Sequence, residues 1–192
     1  MKKFIATTTL VSLVFSSSLF ALALDEKSIK ISFEGYKTPA MIGTRGGFSK
    51  AQFHFNKDAS SLSKQLTNAS ITLSPKDIDM GGVENQVIAD NLVNYFFAPF
   101  NNKGDIKVTI GNVIEGESKG TISAKVTIGN QSTLVPLMYV ITGNNDFEAR
   151  GQLDLSAFTN AQKALKALSD AVPEHQNVSW NIVNLTINGK LK

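Results

Sequence analysis

The sequence predicts a mainly β protein: one antiparallel domain of seven or eight strands, closed as a barrel or folded as a sandwich, with two short helices. Apolar and polar residues alternate with a period of two in seven segments, the pattern of half-buried strands. Short turns rich in Gly and Asn separate several of these segments, and such turns join antiparallel neighbours. Two segments follow a helical period instead, and no linker or repeat divides the 192 residues. We therefore expect a single domain, whose strand edges a barrel or a sandwich would hide.

Residues 1–23 have the order of a secretory signal peptide. Lys2 and Lys3 give a basic start, residues 4–20 are uncharged, and Ala21 and Ala23 form the small-x-small pattern that signal peptidase recognises. The apolar run contains several Ser and Thr and is shorter than the roughly 20 residues of a membrane anchor. We therefore expect cleavage near Ala23, which leaves residues 24–192 as the mature domain. The absence of cysteine favours a Gram-negative periplasm, because small domains of eukaryotic secretory routes commonly depend on disulfides.

The charge balance excludes a nucleic-acid binder. The formal net charge is +3, and removal of Lys2 and Lys3 leaves 17 basic against 16 acidic residues. Binding to phosphate backbones needs a concentrated positive face, which this composition does not supply. The hydrophobic share of 42% also excludes a disordered chain.

The predicted strands follow in order along the mature chain. Their apolar positions are Ile29, Ile31 and Phe33; Ala51, Phe53 and Phe55; Ile71 and Leu73; Ile106, Val108 and Ile110; Ile122, Ala124, Val126 and Ile128; and alternate residues from Phe147 to Leu155. In the last segment, residues 179–190, Trp180 and Ile182 have one phase, whereas Val183, Leu185 and Ile187 have the other. This slip indicates either a β-bulge or a strand with two apolar faces.

Two segments have helical spacing. Residues 84–97 place Ile88, Leu92 and Phe96 at steps of four, and residues 157–172 carry an apolar stripe that Pro173 ends. The first helix ends in an aromatic cluster from Tyr95 to Phe100. This cluster suits either a plug in the mouth of a barrel or the wall of a ligand pocket.

Histidines and carboxylates give little sign of a catalytic or metal site. His54 falls on the polar phase of a strand and His175 in a polar loop, so both are expected at the surface. A structural zinc site needs four donors, which two distant histidines without thiols do not provide. Asp77 and Asp79 begin like a calcium loop, but Ile88 stands where the bidentate Glu is needed. A tight Asx turn is the better interpretation.

Nucleophile and phosphate-binding motifs are also incomplete. Ser61 and Lys64 match Ser-x-x-Lys, but the partner motifs are missing. The glycine-rich residues 43–47 lack the Lys-Ser/Thr of a phosphate-binding loop. We therefore expect no enzyme activity, no cofactor and no metal. A hydrolase using Ser61 and Lys64, or Asp77 and Asp79, is the alternative against this expectation.

A series of short motifs resembles the YceI-like family. The central signature of that family reads Ile-Asp-Thr-Gly, then Arg-Asp-x-His-Leu, then Phe-Phe. This sequence is similar over Ile78-Asp79-Met80-Gly81, Asp90-Asn91-Leu92 and Phe96-Phe97; over Gly129 to Leu137; over Phe147 to Gly151 with Phe158; and over Ile31-Ser32-Phe33 with Gly46-Gly47-Phe48. The likeness extends in order over nearly the whole mature chain. It departs from the family pattern at Ile88 or Ala89, where the family often has an arginine, and at Asn91, where the family often has a histidine.

The resemblance implies an eight-stranded, lipocalin-like antiparallel barrel in the periplasm, with one or two short helices. It also implies a carrier without catalytic activity that holds a polyisoprenoid or another long-chain amphiphile in an apolar bore. Transient contact with a membrane and homodimer formation are compatible with such a carrier. The alternative is a structural or protein-interaction β-domain with a filled core and no ligand.

Aromatic residues are the candidates to line or close the bore. They lie on predicted strands or beside the predicted helices, where a buried side chain stabilises by about 1.5–3 kcal/mol. The candidate ligand-binding residues are Phe33, Phe48, Phe53, Tyr95, Phe96, Phe97, Phe158 and Trp180.

Overall fold

The computed structural model describes residues 23–57, 60–100 and 104–192. The predicted signal peptide lies outside the described residues except for Ala23. In the described part of the chain, ten strands form one antiparallel sheet, and eight of them have four or more residues. They are β1 (Lys30–Lys37), β2 (Ile42–Phe48), β3 (Gln52–His54), β4 (Ser70–Leu73), β5 (Ile78–Asp79), β6 (Ile106–Glu115), β7 (Lys119–Ile128), β8 (Gln131–Ile141), β9 (Asp146–Asp154) and β10 (Ser179–Lys190).

The sheet curls into a half-barrel. Its strand order is β3-β4-β6-β7-β8-β9-β10-β1-β2-β5, so β6 to β10 form a meander and β1 pairs with β10. The prediction of a mainly β, antiparallel, lipocalin-like fold is confirmed. Within the described residues, however, the edge strands β3 and β5 do not pair with each other, so hydrogen bonds do not complete the barrel. Both edge strands have three residues or fewer, which limits the backbone they leave open to pairing.

Both predicted helices form. Helix α2 (Gln86–Asn91) continues as a π-helix (Leu92–Phe97) and a 3₁₀ turn (Ala98–Phe100), and α3 covers Ala161–Ala171. A third, short helix, α1 (Leu62–Leu66), was not predicted; the Oγ of Ser61 caps it by accepting a hydrogen bond from the backbone N–H of Lys64 at 3.2 Å. A 3₁₀ turn (Pro173–His175) follows α3 and leads to β10.

The two ends of the half-barrel differ. At one end, which we call the closed end, the side chain of Gln65 accepts from the backbone N–H of Leu24 at 2.7 Å and donates to its carbonyl at 2.9 Å. At the other, which we call the open end, β1 finishes at Lys37 and β10 begins at Ser179, and these two residues are cross-strand partners. Helix α3 packs against β10 and against the π-helix, and these helices partly cover the open end.

Burial divides the interior into a packed part and a hollow part. Interior side chains of β7, β8 and β9 are buried, and the Tyr139 ring stacks on Phe147 with centroids 5.4 Å apart. Interior side chains of β1 and β10, such as Phe33 and Leu185, are only half-buried. The cause is a cavity on their inner face.

Candidate functional site

An apolar cavity of about 510 Å³ lies between the curled sheet and the helices. This volume falls within the range of roughly 300–1,000 Å³ that is typical of small-molecule pockets. Its wall is formed mostly by aliphatic and aromatic side chains. Water finds few polar partners along a wall of this kind, so the cavity is suited to an apolar occupant.

Strands β1 and β10 form one wall of the cavity. Cross-strand partners in an antiparallel pair point to the same face, and three such pairs line the cavity: Ile31 with Ile187, Phe33 with Leu185, and Gly35 with Val183. Gly35 has no side chain, and a Cβ built there meets no atom within 4 Å. The cavity therefore reaches the backbone at this position.

A β-bulge brings Trp180 into the cavity wall. Gly35 pairs with Val183 and Lys37 pairs with Ser179, so an advance of two residues along β1 corresponds to an advance of four residues along β10. Trp180 and Val183 are three residues apart, a spacing that would place them on opposite faces of a regular strand. The extra residues of the bulge let both of them line the cavity. The indole N–H of Trp180 donates to the carbonyl of Thr38 at 2.8 Å. The phase slip in the last strand is therefore a bulge.

The helices form the side of the cavity that faces the concave surface of the sheet. Phe96 and Phe97 of the π-helix line the cavity and meet edge to face, with centroids 4.9 Å apart. From α3 and its C-cap, Leu165, Leu168 and Val172 complete this side of the wall.

The cavity reaches solvent at the open end. Val87, at 62% exposure, and the exposed Glu174 both belong to its lining. The chain that follows β5 runs back along β2 toward Ile42, because Gly47 pairs with Asp79 and Met80 lies against Gly46. This course brings the beginning of α2 to the end of the half-barrel that carries the β1–β2 turn.

Polar side chains gather in one part of the wall at the open end. Nδ1 of His175 lies 2.7 Å from Oγ of Ser179, which lies 2.7 Å from Oγ of Ser169. Lys37 pairs with Ser179 across the strands, and Lys37, His175 and Ser179 all line the cavity. Burial, together with the nearby charge of Lys37, lowers the pKa of His175, whereas Glu174 acts in the opposite direction. A lowered pKa keeps the imidazole neutral near pH 7.

Six of the eight aromatic candidates line the cavity; their role in ligand binding stays a prediction. They are Phe33, Phe48, Phe53, Phe96, Phe97 and Trp180. Tyr95 is 40% exposed and Phe158 only 2% exposed, and neither belongs to the lining. Tyr95 lies on the outer side of the helix whose inner side carries Phe96. Phe158 packs edge to face against Phe100, with centroids 6.2 Å apart, and belongs to the packed core.

The aromatic candidates were only part of the cavity wall, and sequence reasoning missed many of its other residues. Ile29 and Ile31 share the phase of Phe33, so alternation along β1 could have identified them. His175, which was expected at the surface, is half-buried and belongs to the cavity wall at its opening. No local pattern could have shown this, because the position of His175 depends on how the turn after α3 packs on β10.

The motifs that suggested chemistry have structural roles. Lys64 donates through Nζ to Oγ of Ser60 at 2.8 Å, whereas Ser61 caps helix α1. Asp79 accepts from the backbone N–H of Gly81 at 2.8 Å, the Asx turn that the sequence indicates. Among the described residues, no group of three or more His, Asp or Glu side chains is placed to hold a metal ion. In the same part of the chain, no helix is long and apolar enough to cross a membrane.

Several solved structures share this architecture. BcnA from Burkholderia cenocepacia is 16% identical with a TM-score of 0.60, over 86% of this chain and 98% of that one. A polyisoprenoid-binding domain from Saccharophagus degradans, implicated in plant cell wall breakdown, is 12% identical with a TM-score of 0.62, over 90% and 98%. A Campylobacter jejuni YceI protein is 16% identical with a TM-score of 0.58, over 100% and 99%. No family model and no curated protein matches the chain.

Proposed function

We propose that this chain, which has the YceI-like fold, is a binding protein that holds a long apolar chain in its interior cavity. The observation that carries the proposal is the cavity of about 510 Å³ with a mostly apolar wall and an opening at one end. A structural neighbour is a polyisoprenoid-binding domain, and a polyisoprenoid or another long-chain amphiphile is the ligand class that we assign to this cavity. Such a carrier needs no catalytic group.

Burial of the apolar chain is the main source of binding energy in this proposal. Each buried CH₂ contributes about 0.8 kcal/mol, so ten to fifteen methylenes give roughly 8–12 kcal/mol before ordering costs. A net affinity in the micromolar range needs about 8 kcal/mol, which leaves at most about 4 kcal/mol for ordering the chain. Micromolar binding therefore requires a chain near the upper end of this length and a cavity that is already formed.

Exposed apolar residues around the open end support transient contact with a membrane. Met41 and Ile42 in and after the β1–β2 turn, together with Val83 and Val87 before and in α2, are exposed at this end. A ligand that passes between a bilayer and the cavity would then remain out of water. Flotation with phosphatidylcholine vesicles should recover the protein with the vesicles, and the double variant Met41→Ser, Ile42→Ser should reduce the recovered fraction.

We also propose export to the periplasm, supported by the sequence of residues 1–23 alone. Fractionation of a Gram-negative host should recover the protein with the periplasmic contents, with an N-terminus at or near Leu24. Recovery only from the cytoplasm, with residues 1–23 retained, would contradict export.

The decisive experiment for the binding function is identification of the bound molecule. The protein is purified without detergent from the periplasm of a Gram-negative host and examined by native mass spectrometry and by solvent extraction. A complex with a long-chain lipid is expected. Absence of bound lipid, together with no binding of farnesol or oleamide, would refute the proposal.

A second candidate function has one observation in its favour. On the outer face of β8, Leu134, Met138 and Val140 are exposed in a row, whereas their cross-strand partners on β7 are Lys125, Thr121 and Lys119. An apolar stripe on a polar face is suited to contact with another protein or a second copy. Sedimentation velocity tests self-association: a dimer that Met138→Lys converts to a monomer would support it.

A further inference from the structure

The polar residues at the open end of the cavity form a connected group rather than a scattered set. Ser169 on α3 is buried, Ser179 begins β10, and His175 lies in the turn between these elements. Their side chains are linked at 2.7 Å from His175 to Ser179 and at 2.7 Å from Ser179 to Ser169. The group therefore joins the helical cover to the wall of the cavity.

Counting protons assigns the direction of each hydrogen bond. Ser169 donates its only hydroxyl proton to the carbonyl of Leu165 at 2.9 Å. The contact between Ser169 and Ser179 therefore needs the proton of Ser179, since a hydroxyl carries one donor. With that proton used, the oxygen of Ser179 must accept from His175. In the neutral ring, Nδ1 of His175 thus carries the proton, and Nε2 is left as an acceptor.

Two groups at this place remain without partners. Nε2 of His175 and Nζ of Lys37 have no hydrogen bond or ion pair within the part of the chain that the structure describes. Both residues line the cavity, and Lys37 stands opposite Ser179 in the strand pairing. One acceptor and one cationic donor are therefore available near the opening of an otherwise apolar cavity.

We propose that His175 and Lys37 bind the head group of the ligand and that this head group is a neutral hydroxyl. A hydroxyl is both a donor and an acceptor, so it satisfies Nε2 of His175 and Nζ of Lys37 together. A carboxylate or a fully ionised phosphate would accept from Lys37 but would bind Nε2 only if the imidazole took up a proton, which burial and the charge of Lys37 oppose. The inference rests on the proposed function, because it requires a long chain in the cavity.

The test compares three probes that share one chain: farnesol, farnesyl methyl ether and farnesyl phosphate. Their affinities are measured at pH 7.5 by displacement of a fluorescent fatty acid from the full chain. We expect farnesol to bind about three- to tenfold more tightly than the ether, the effect of one ordinary hydrogen bond. The His175→Phe variant should bind both equally, with the ether within about twofold of its wild-type affinity. The matched control, His54→Phe, changes the other histidine, which is exposed on β3, and should keep the farnesol preference.

Two further measurements keep the test decisive if His175→Phe does not fold. The Lys37→Met variant should weaken the binding of farnesol and of the ether by a similar factor, because both oxygens accept from Nζ, and should leave the preference for farnesol in place. In ¹⁵N NMR spectra, His175 should show the Nδ1–H form, and farnesol should shift its Nε2 resonance whereas the ether should not.

The outcomes separate this inference from the proposed function. Equal binding of farnesol and the ether by the wild-type protein would overturn the hydroxyl site and leave the carrier function intact. Tighter binding of farnesyl phosphate than of farnesol would overturn it in favour of an anionic head group. Failure of the fluorescent fatty acid and of all three probes to bind would overturn the carrier function itself and the inference with it.

Discussion

Gly35 offers a direct way to obstruct the cavity without disturbing the backbone. It lies in β1, its partner across the strands is Val183, and both residues line the cavity. A Cβ at this position meets no atom within 4 Å, and the φ angle of Gly35 is not positive. The Gly35→Leu variant should therefore fold with its new side chain in the cavity.

The expected loss of affinity follows from the displaced ligand. The leucine side chain adds four carbons to the cavity, which displace about the same number from an apolar chain. At about 0.8 kcal/mol each, this costs about 3 kcal/mol of binding energy, or roughly 200-fold in affinity. Stability of the ligand-free protein should stay equal or increase, because glycine is unfavourable in a strand interior and the new side chain becomes buried.

The assay is displacement of a fluorescent fatty acid by farnesol, together with urea unfolding of each variant. A graded series of Gly35→Ala, Gly35→Val and Gly35→Leu should bind progressively less tightly. Gly143→Leu is the matched control: Gly143 also has open space at its Cβ but lies in the exposed turn between β8 and β9, so affinity should not change. A folded Gly35→Leu variant that binds within about threefold of wild type would refute the assignment of the cavity as the binding site.

Three further predictions concern stability. Gly151→Ala should lower the free energy of unfolding by about 1–3 kcal/mol in urea, because a Cβ there lies 2.6 Å from the carbonyl of Pro136; no change would contradict the close packing of β8 and β9. Phe158→Ala should lower the free energy of unfolding by about 3–5 kcal/mol, whereas Tyr95→Ala should lower it by about 0.5 kcal/mol or less. Equal losses in the two variants would contradict the burial of Phe158 and the exposure of Tyr95. The pKa of His175 is lowered in the folded protein, chiefly by burial, so the unfolded chain binds a proton first as the pH falls. Stability should therefore decrease as the pH falls from about 6.5 through the lowered pKa, and His175→Phe should remove this dependence.

The secondary structure was largely predictable because it depends on local periodicity. Alternation predicted β7 and β9, and steps of four predicted the helix that carries Phe96. Sequence reasoning missed two short elements, α1 with five residues and β5 with two, and the alternating segments also lacked β2 and β8, which have seven and eleven residues. The short elements have too few residues to show a period. Strand β8 shows no alternation because its residues from Leu134 to Ile141 are all apolar.

The binding candidates were only partly predictable because aromatic residues serve two purposes in this fold. Phe96 lines the cavity and Phe158 fills the core, yet both fall on apolar stripes of their helical segments. An apolar stripe shows that a side chain points inward. Whether it then meets another side chain or an open space depends on the distance to the opposite wall.

The sequence by itself determined the antiparallel β class, the alternation along seven segments and the slip at Trp180, because the pleat and the turns are set by residues close together in the chain. Only the tertiary structure decided that the sheet remains a half-barrel, that its interior contains a cavity of about 510 Å³, and that His175, Ser179 and Lys37 meet at its opening. These features arise from contacts between distant segments. Lys37 and Ser179, for example, are partners across β1 and β10 although more than a hundred residues separate them in the chain.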